Sequence, residues 1–190
     1  MRKDKIKMDI NIENFREGIF SLHTRRFGTV AELMIELLYK MHPSNVLNFD
    51  KKDNTNKRIE VKFSRALKEN TDTIKKNNVI KQCLEASTVY RAFNSSEANI
   101  QKFDCNIQQI KNKEFDILYY GIFFKDHIEI FRIENNKIET LDNYSNKQHR
   151  GNIGEGQFHL NNTNIEEHRK KYLIRILSYE ELYKLFQEVV

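Results

Sequence analysis

Apolar and polar positions recur with two different periods along this chain, and each change of period marks an element. From Thr29 the run Thr-Val-Ala-Glu-Leu-Met-Ile-Glu-Leu-Leu-Tyr-Lys places Val30, Met34, Leu37, Leu38 and Met41 on one helix face. Thr29 with Glu32 three residues on reads as a capping box, so a helix of about three turns is predicted to begin there. After the single proline, Pro43, the period falls to two. Val46-Leu-Asn-Phe-Asp50 and Arg58-Ile-Glu-Val-Lys-Phe-Ser64, with Ile59, Val61 and Phe63 alternating, predict the arms of a β-hairpin joined by a polar stretch. Helical spacing returns between Thr73 and Phe93, broken by polar residues around 75 to 78, so a helix is expected over the second half of that segment.

Further strands are predicted at Phe103 to Ile110, Phe115 to Phe124 and His127 to Ile133, the last two joined by Lys125-Asp126. Residues 142–164 are polar and glycine-bearing; the stretch is long for a plain connection, so it is expected to be a functional loop. Ser178-Tyr-Glu-Glu181 opens a terminal helix with a second capping box. This order predicts an α/β fold, a central mixed β-sheet flanked by helices, with residues 1–190 forming one domain.

Composition narrows the classes. Hydrophobic residues at 39% and aromatics at 11% supply a packed core, which argues against disorder. The net charge of +5 favours an anionic partner such as nucleic acid. No apolar stretch has signal-peptide or membrane-spanning length, so a soluble, cytoplasmic protein without membrane contact is expected. Cys83 and Cys105 are isolated and read as buried hydrophobes rather than a disulfide or a metal knuckle. His149, His159 and His168 are too widely spaced for a zinc finger, and neither a Walker loop nor a GxSxG or GxGxxG motif is present.

The candidate chemistry lies on the second hairpin arm. Glu60 and Lys62 are two residues apart on a strand and share one face, while Ile59, Val61 and Phe63 share the other. Asp50 ends the first arm, and antiparallel pairing would return it beside Glu60. Carboxylate oxygens suit Mg²⁺, and Lys62 could position an attacking water. A salt-bridged hairpin face fits the same residues, and on pattern alone it is the favoured reading.

Asp50 followed by Glu60-Val61-Lys62, with a Glu-bearing helix before them, resembles the PD-(D/E)xK nuclease superfamily and, more narrowly, its type II restriction endonucleases. The phrase Arg58-Ile-Glu-Val-Lys-Phe-Ser-Arg65 is similar to the second catalytic strand of many of them. The resemblance covers mainly residues 28–65 and, less sharply, the strands between 103 and 133. It implies a restriction-endonuclease-like fold with metal held by Asp50 and Glu60, Lys62 as the catalytic lysine, and Mg²⁺ as cofactor with Mn²⁺ as a substitute. Double-stranded DNA would be cut at a short specific sequence to leave 5′-phosphates. A homodimer acting on a palindromic site and a companion DNA methyltransferase are the implied partners.

Several assignments stay open. Phe49 stands where the motif's name has proline, and Asp53 is an alternative to Asp50, which is preferred because it terminates the apolar arm. Either Glu32 or Glu36 would be the helical carboxylate supporting the metal, with Glu32 favoured. Ile107-Gln-Gln-Ile-Lys111 resembles the strand beside the active site in several restriction enzymes. Of Gln108 and Gln109 at most one is expected to face the metal, and Gln109 is the candidate support.

Lys147, Gln148, His149, Arg150, Gln157 and His159, set among Gly151, Gly154 and Gly156, are candidate DNA contacts, because such side chains pair with base edges and phosphates. The competing functions are a non-catalytic nucleic-acid-binding protein and a repair or mobile-element nuclease with little sequence choice.

Overall fold

The computed structural model describes residues 2–69, 72–147 and 153–189. The chain starts with α1 (Arg2–Ser21) and α2 (Thr24–Tyr39), then runs through the short strands β1 (His42–Pro43) and β2 (Lys51–Lys52) into β3 (Arg58–Arg65). Helices α3 (Val79–Leu84) and α4 (Thr88–Arg91) precede β4 (Asp104–Ile110), β5 (Ile117–Phe123) and β6 (His127–Glu134). After α5 (Asn135–Ile138) come β7 (Ser145–Lys147), β8 (Ile153–Asn161), α6 (Ile165–Tyr172), β9 (Leu173–Ser178) and α7 (Tyr179–Gln187).

Six strands form the central sheet in the order β1-β2-β3-β5-β6-β9. Only β3 and β5 run parallel; the other pairings are antiparallel, so the sheet is mixed. A second sheet, β4-β8-β7, is antiparallel. The fold is α/β, with a mixed central sheet flanked by helices.

The central strand β5 is buried at all seven positions, as its unbroken apolar run requires. Its odd-numbered side chains Ile117, Tyr119 and Phe123 pack with Ile59 and Val61 against α1, α2 and α7. Leu118, Tyr120 and Ile122 pack on the opposite face beneath Cys105, Ile107, Phe158 and Leu160 of the small sheet. Gly121 lies where β3, β5 and β6 meet. A Cβ there would come within 2.2 Å of the Glu129 carbonyl oxygen and 2.3 Å of the Phe63 ring, so only glycine fits.

Local details depart from the sequence-based expectations. Helix α2 begins at Thr24, and Thr29 lies inside it, its hydroxyl donating to the Arg25 carbonyl at 3.2 Å rather than capping an end. Phe27 explains the earlier start: it is buried against Phe123 with ring centroids 5.0 Å apart, a tertiary contact that local pattern does not contain. The hairpin exists, but its first arm is Lys51–Lys52 rather than Val46 to Asp50; Val46 and Leu47 are exposed in a turn. The segment 73–93 holds two short helices, α3 and α4, instead of one.

The expected loop at 142–164 contains β7 and most of its second half is β8. Gly156 sits in β8 because Tyr144 fills the space a side chain would take, with its hydroxyl 2.2 Å from an ideal Cβ. Cys105 is buried as expected, whereas Cys83 is exposed. Among the described residues, no helix is long and apolar enough to cross a membrane.

Candidate active site

The alternation of β3 turns Ile59 and Val61 toward the helices and leaves Glu60 and Lys62 on the face of the small sheet, where their register partners are Leu118 and Tyr120. Asp50 joins them through the short hairpin. Its backbone N–H donates to the Ile59 carbonyl at 3.0 Å, and the Val61 N–H donates to its Oδ2 at 2.8 Å. This second bond fixes the carboxylate and compensates its negative charge. Asp50, Glu60 and Lys62 therefore converge: the Lys62 ammonium closes on Glu60 Oε1 and lies 4.0 Å from Asp50 Oδ2.

Two further carboxylates reach this region from α2, and they are treated differently. Glu36 is held by Lys51 at 2.5 Å, which takes it out of the centre. Glu32 lines the cleft that Lys62 opens into. Burial raises its pKa, with Asp50 and Glu36 adding to the shift and Lys51 and Lys62 opposing it. Glu60 is raised as well, by burial first and by Asp50 and Glu32 next, against the pull of Lys62. Burial disfavours the Lys62 ammonium, but Glu60 and Asp50 more than offset that and hold it protonated. Glu32, Asp50 and Glu60 thus all act on Lys62, and the raised pKa of Glu32 and of Glu60 marks negative charge that a further cation would relieve.

Among the described residues, no group of three His, Cys, Asp or Glu side chains is gathered closely enough to hold an ion unaided. Mg²⁺ does not require such a group, since it is commonly bound by one or two carboxylates with water and phosphate completing its shell. The pair Asp50 and Glu60 fits that donor set. Asp53 does not belong to it: its Oδ1 accepts from Thr55 N at 2.8 Å, Thr55 Oγ1 at 2.7 Å and Lys57 N at 3.0 Å, closing the hairpin turn. No protein-family model and no curated protein sequence matches the chain.

Two depressions meet at the centre. A cleft of about 730 Å³ runs between α2 and β4 from Glu32 and Lys62 toward Arg91, and a hollow of about 250 Å³ is lined by Asp50, Glu60, Lys62, Lys111 and Glu155. Lys62 and Gln109 line both. Gln109 reaches this position through a bulge in the pairing of β4 with β8 and a left-handed φ of 61°. That conformation costs roughly 1–2 kcal/mol for a residue with a Cβ, and it removes the usual alternation, so Gln108 and Gln109 both face the cleft. Of the two, Gln109 and not Gln108 also lines the hollow shared by Asp50 and Glu60.

The candidate DNA contacts are divided. Gln148, His149 and Arg150 lie outside the described residues, and Lys147 is exposed on β7. Gln157 and His159 are not loop residues but half-buried strand residues of β8. His159 Nδ1 lies 2.7 Å from Asp104 Oδ1. Asp104 and Asn106 were not among the sequence candidates, although the polar residues at 104, 106 and 108 between buried Cys105 and Ile107 carry a strand signal that would have found them.

Proposed function

We propose that this chain is a magnesium-dependent DNA endonuclease of the type II restriction class, with a restriction-endonuclease-like fold. The observation that carries the reading is the convergence of Asp50, Glu60 and Lys62 at the edge of a cleft, with Glu32 electrostatically coupled to them. Asp50 and Glu60 would hold Mg²⁺, with Mn²⁺ as a substitute, and Glu32 would support it. When bound, the metal supplies charge neutralisation at a phosphodiester and an acidified water.

The remaining work falls to the chain's own groups. The Val61 N–H holds Asp50 in one orientation, so the carboxylate needs little reorganisation. Lys62 would leave Glu60 for the phosphate oxygen on which charge develops, or orient the attacking water. Cleavage would leave a 5′-phosphate. A homodimer and a companion methyltransferase belong to the same proposal.

The close Lys62–Glu60 pair also favours a second reading, a DNA-binding protein in which these residues are a static ion pair. Incubation with unmethylated duplex DNA separates the two. Discrete fragments with Mg²⁺ and none with EDTA support the restriction enzyme, a smear points to a nuclease without sequence choice, and DNA that is bound but intact supports the static pair.

A further inference from the structure

We infer that the solvent face of β4 and β8 reads base edges of duplex DNA, with Asn106, Gln108 and Gln157 as the residues that set sequence preference. The inference deepens the nuclease reading and rests on it for the identity of the ligand as DNA.

Strand register places the residues. Asp104 pairs with Asn161, Asn106 with His159 and Gln108 with Gln157, so these six side chains share one face. The opposite face carries Cys105, Ile107, Phe158 and Leu160, all in the core. The outward face is therefore polar at every position, and four of its six residues are amides. Strand formation does not account for this, since asparagine is depleted in strands and a solvated face is served by threonine.

Asn161 is engaged, its Oδ1 accepting from Thr163 N and Thr163 Oγ1, but Asn106 is only partly so. Asn106 Nδ2 donates to Gln157 Oε1 at 3.3 Å, while Asn106 Oδ1 finds no partner among the described residues. A bare buried acceptor is costly, and rotation of the amide toward an external donor would relieve it. Asp104 Oδ1 lies 2.7 Å from His159 Nδ1, and the six residues of the face include no lysine or arginine. An amide-rich face without lysine or arginine is poorly suited to gripping phosphates but well suited to base edges, where asparagine and glutamine pair bidentately with adenine.

Position links the face to the chemistry. Asp104, Asn106 and Gln108 line the cleft shared with Lys62, and Glu155, two residues before Gln157 on β8, lines the hollow shared with Asp50 and Glu60. From Asp104 to Gln108 a strand advances roughly 14 Å, the rise of about four base pairs. A β-ribbon fits the major groove, so duplex laid along this face would bring its backbone to Lys62. The chain's net charge of +5 supplies general attraction, leaving discrimination to the amides.

The test is selection of bound sequences from a randomised duplex pool by the full chain in EDTA, which prevents cutting. Wild type is expected to enrich one short sequence. Asn106→Ala, Gln108→Ala and Gln157→Ala should each relax preference at one or two positions and weaken binding to the enriched duplex about 10- to 100-fold. Affinity for random duplex, and its salt dependence, should stay unchanged, because no phosphate-neutralising charge is removed. No enriched sequence with wild type, or the same sequence enriched by all three variants, would overturn the inference. Amide-dependent preference without cleavage in Mg²⁺ would remove the nuclease reading alone. Specific cleavage unaffected by the variants would remove this inference alone.

Discussion

The Lys62 ammonium closes on the Glu60 carboxylate of its own strand while lying 4.0 Å from Asp50 Oδ2 across the hairpin. It occupies the space between the two carboxylates and is their internal counter-ion. Removing it would leave Asp50, Glu60 and Glu32 repelling one another in a partly buried setting.

Lys62→Met should therefore fold with a lower melting temperature in EDTA than wild type and recover more on addition of Mn²⁺. Stabilisation by a ligand grows with the logarithm of its concentration over Kd, and the vacated space favours the cation. Differential scanning fluorimetry reads both shifts. Equal Mn²⁺ shifts in the two proteins would show that Lys62 and metal do not compete.

A second buried charge lies on β6, on the same face of the central sheet as Glu60 and Lys62. Glu129 is 2% exposed and accepts from Arg169 Nε at 3.0 Å and from its Nη2 at 2.7 Å, while Nη2 also reaches the Ser95 carbonyl at 3.1 Å. Arg169→Ala should cost about 3 kcal/mol, because it leaves the buried carboxylate with only the His127 Nε2 contact at 3.3 Å. Glu129→Leu combined with Arg169→Met should cost less than that single change. Urea denaturation of the three proteins gives the comparison.

His168 predicts a pH dependence of stability. Its ring is stacked on Phe158 with Nδ1 2.8 Å from the Tyr120 hydroxyl, and burial pushes its pKa down to about 4 from 6.5. The folded state thus keeps His168 neutral where the unfolded chain protonates it. The contribution is fully present above pH 6.5 and is lost as pH falls toward 4. Its upper bound is roughly 3 kcal/mol. His168→Gln should flatten that part of the stability profile measured by denaturant midpoint against pH.

Much of the centre was legible because it is local. Residues 58–65 alternate cleanly, and a hairpin returns Asp50 to Glu60 over a short span, so the convergence follows from period and turn. The β5–β6 hairpin and the Ser178–Glu181 capping box were legible for the same reason. What escaped depends on partners distant in sequence. Gly154 and Gly156 made β8 look like a loop, although Gly156 makes room for Tyr144 and β8 pairs with β4 some fifty residues earlier. Among its described side chains α1 buries only Ile19 and Phe20, so its mostly polar sequence gave little periodic signal. The Gln109 bulge is likewise a product of strand pairing.

The most direct test of the nuclease centre is single-turnover cleavage of an unmethylated duplex in Mg²⁺ by wild type, Glu60→Gln and Lys62→Met, with duplex binding measured alongside in EDTA. The convergence of these residues predicts that each change slows cleavage at least ~100-fold, the usual loss when a charge-stabilising group is removed, while binding stays within a few-fold of wild type. Cleavage at the wild-type rate by either variant would contradict a catalytic centre at Asp50, Glu60 and Lys62.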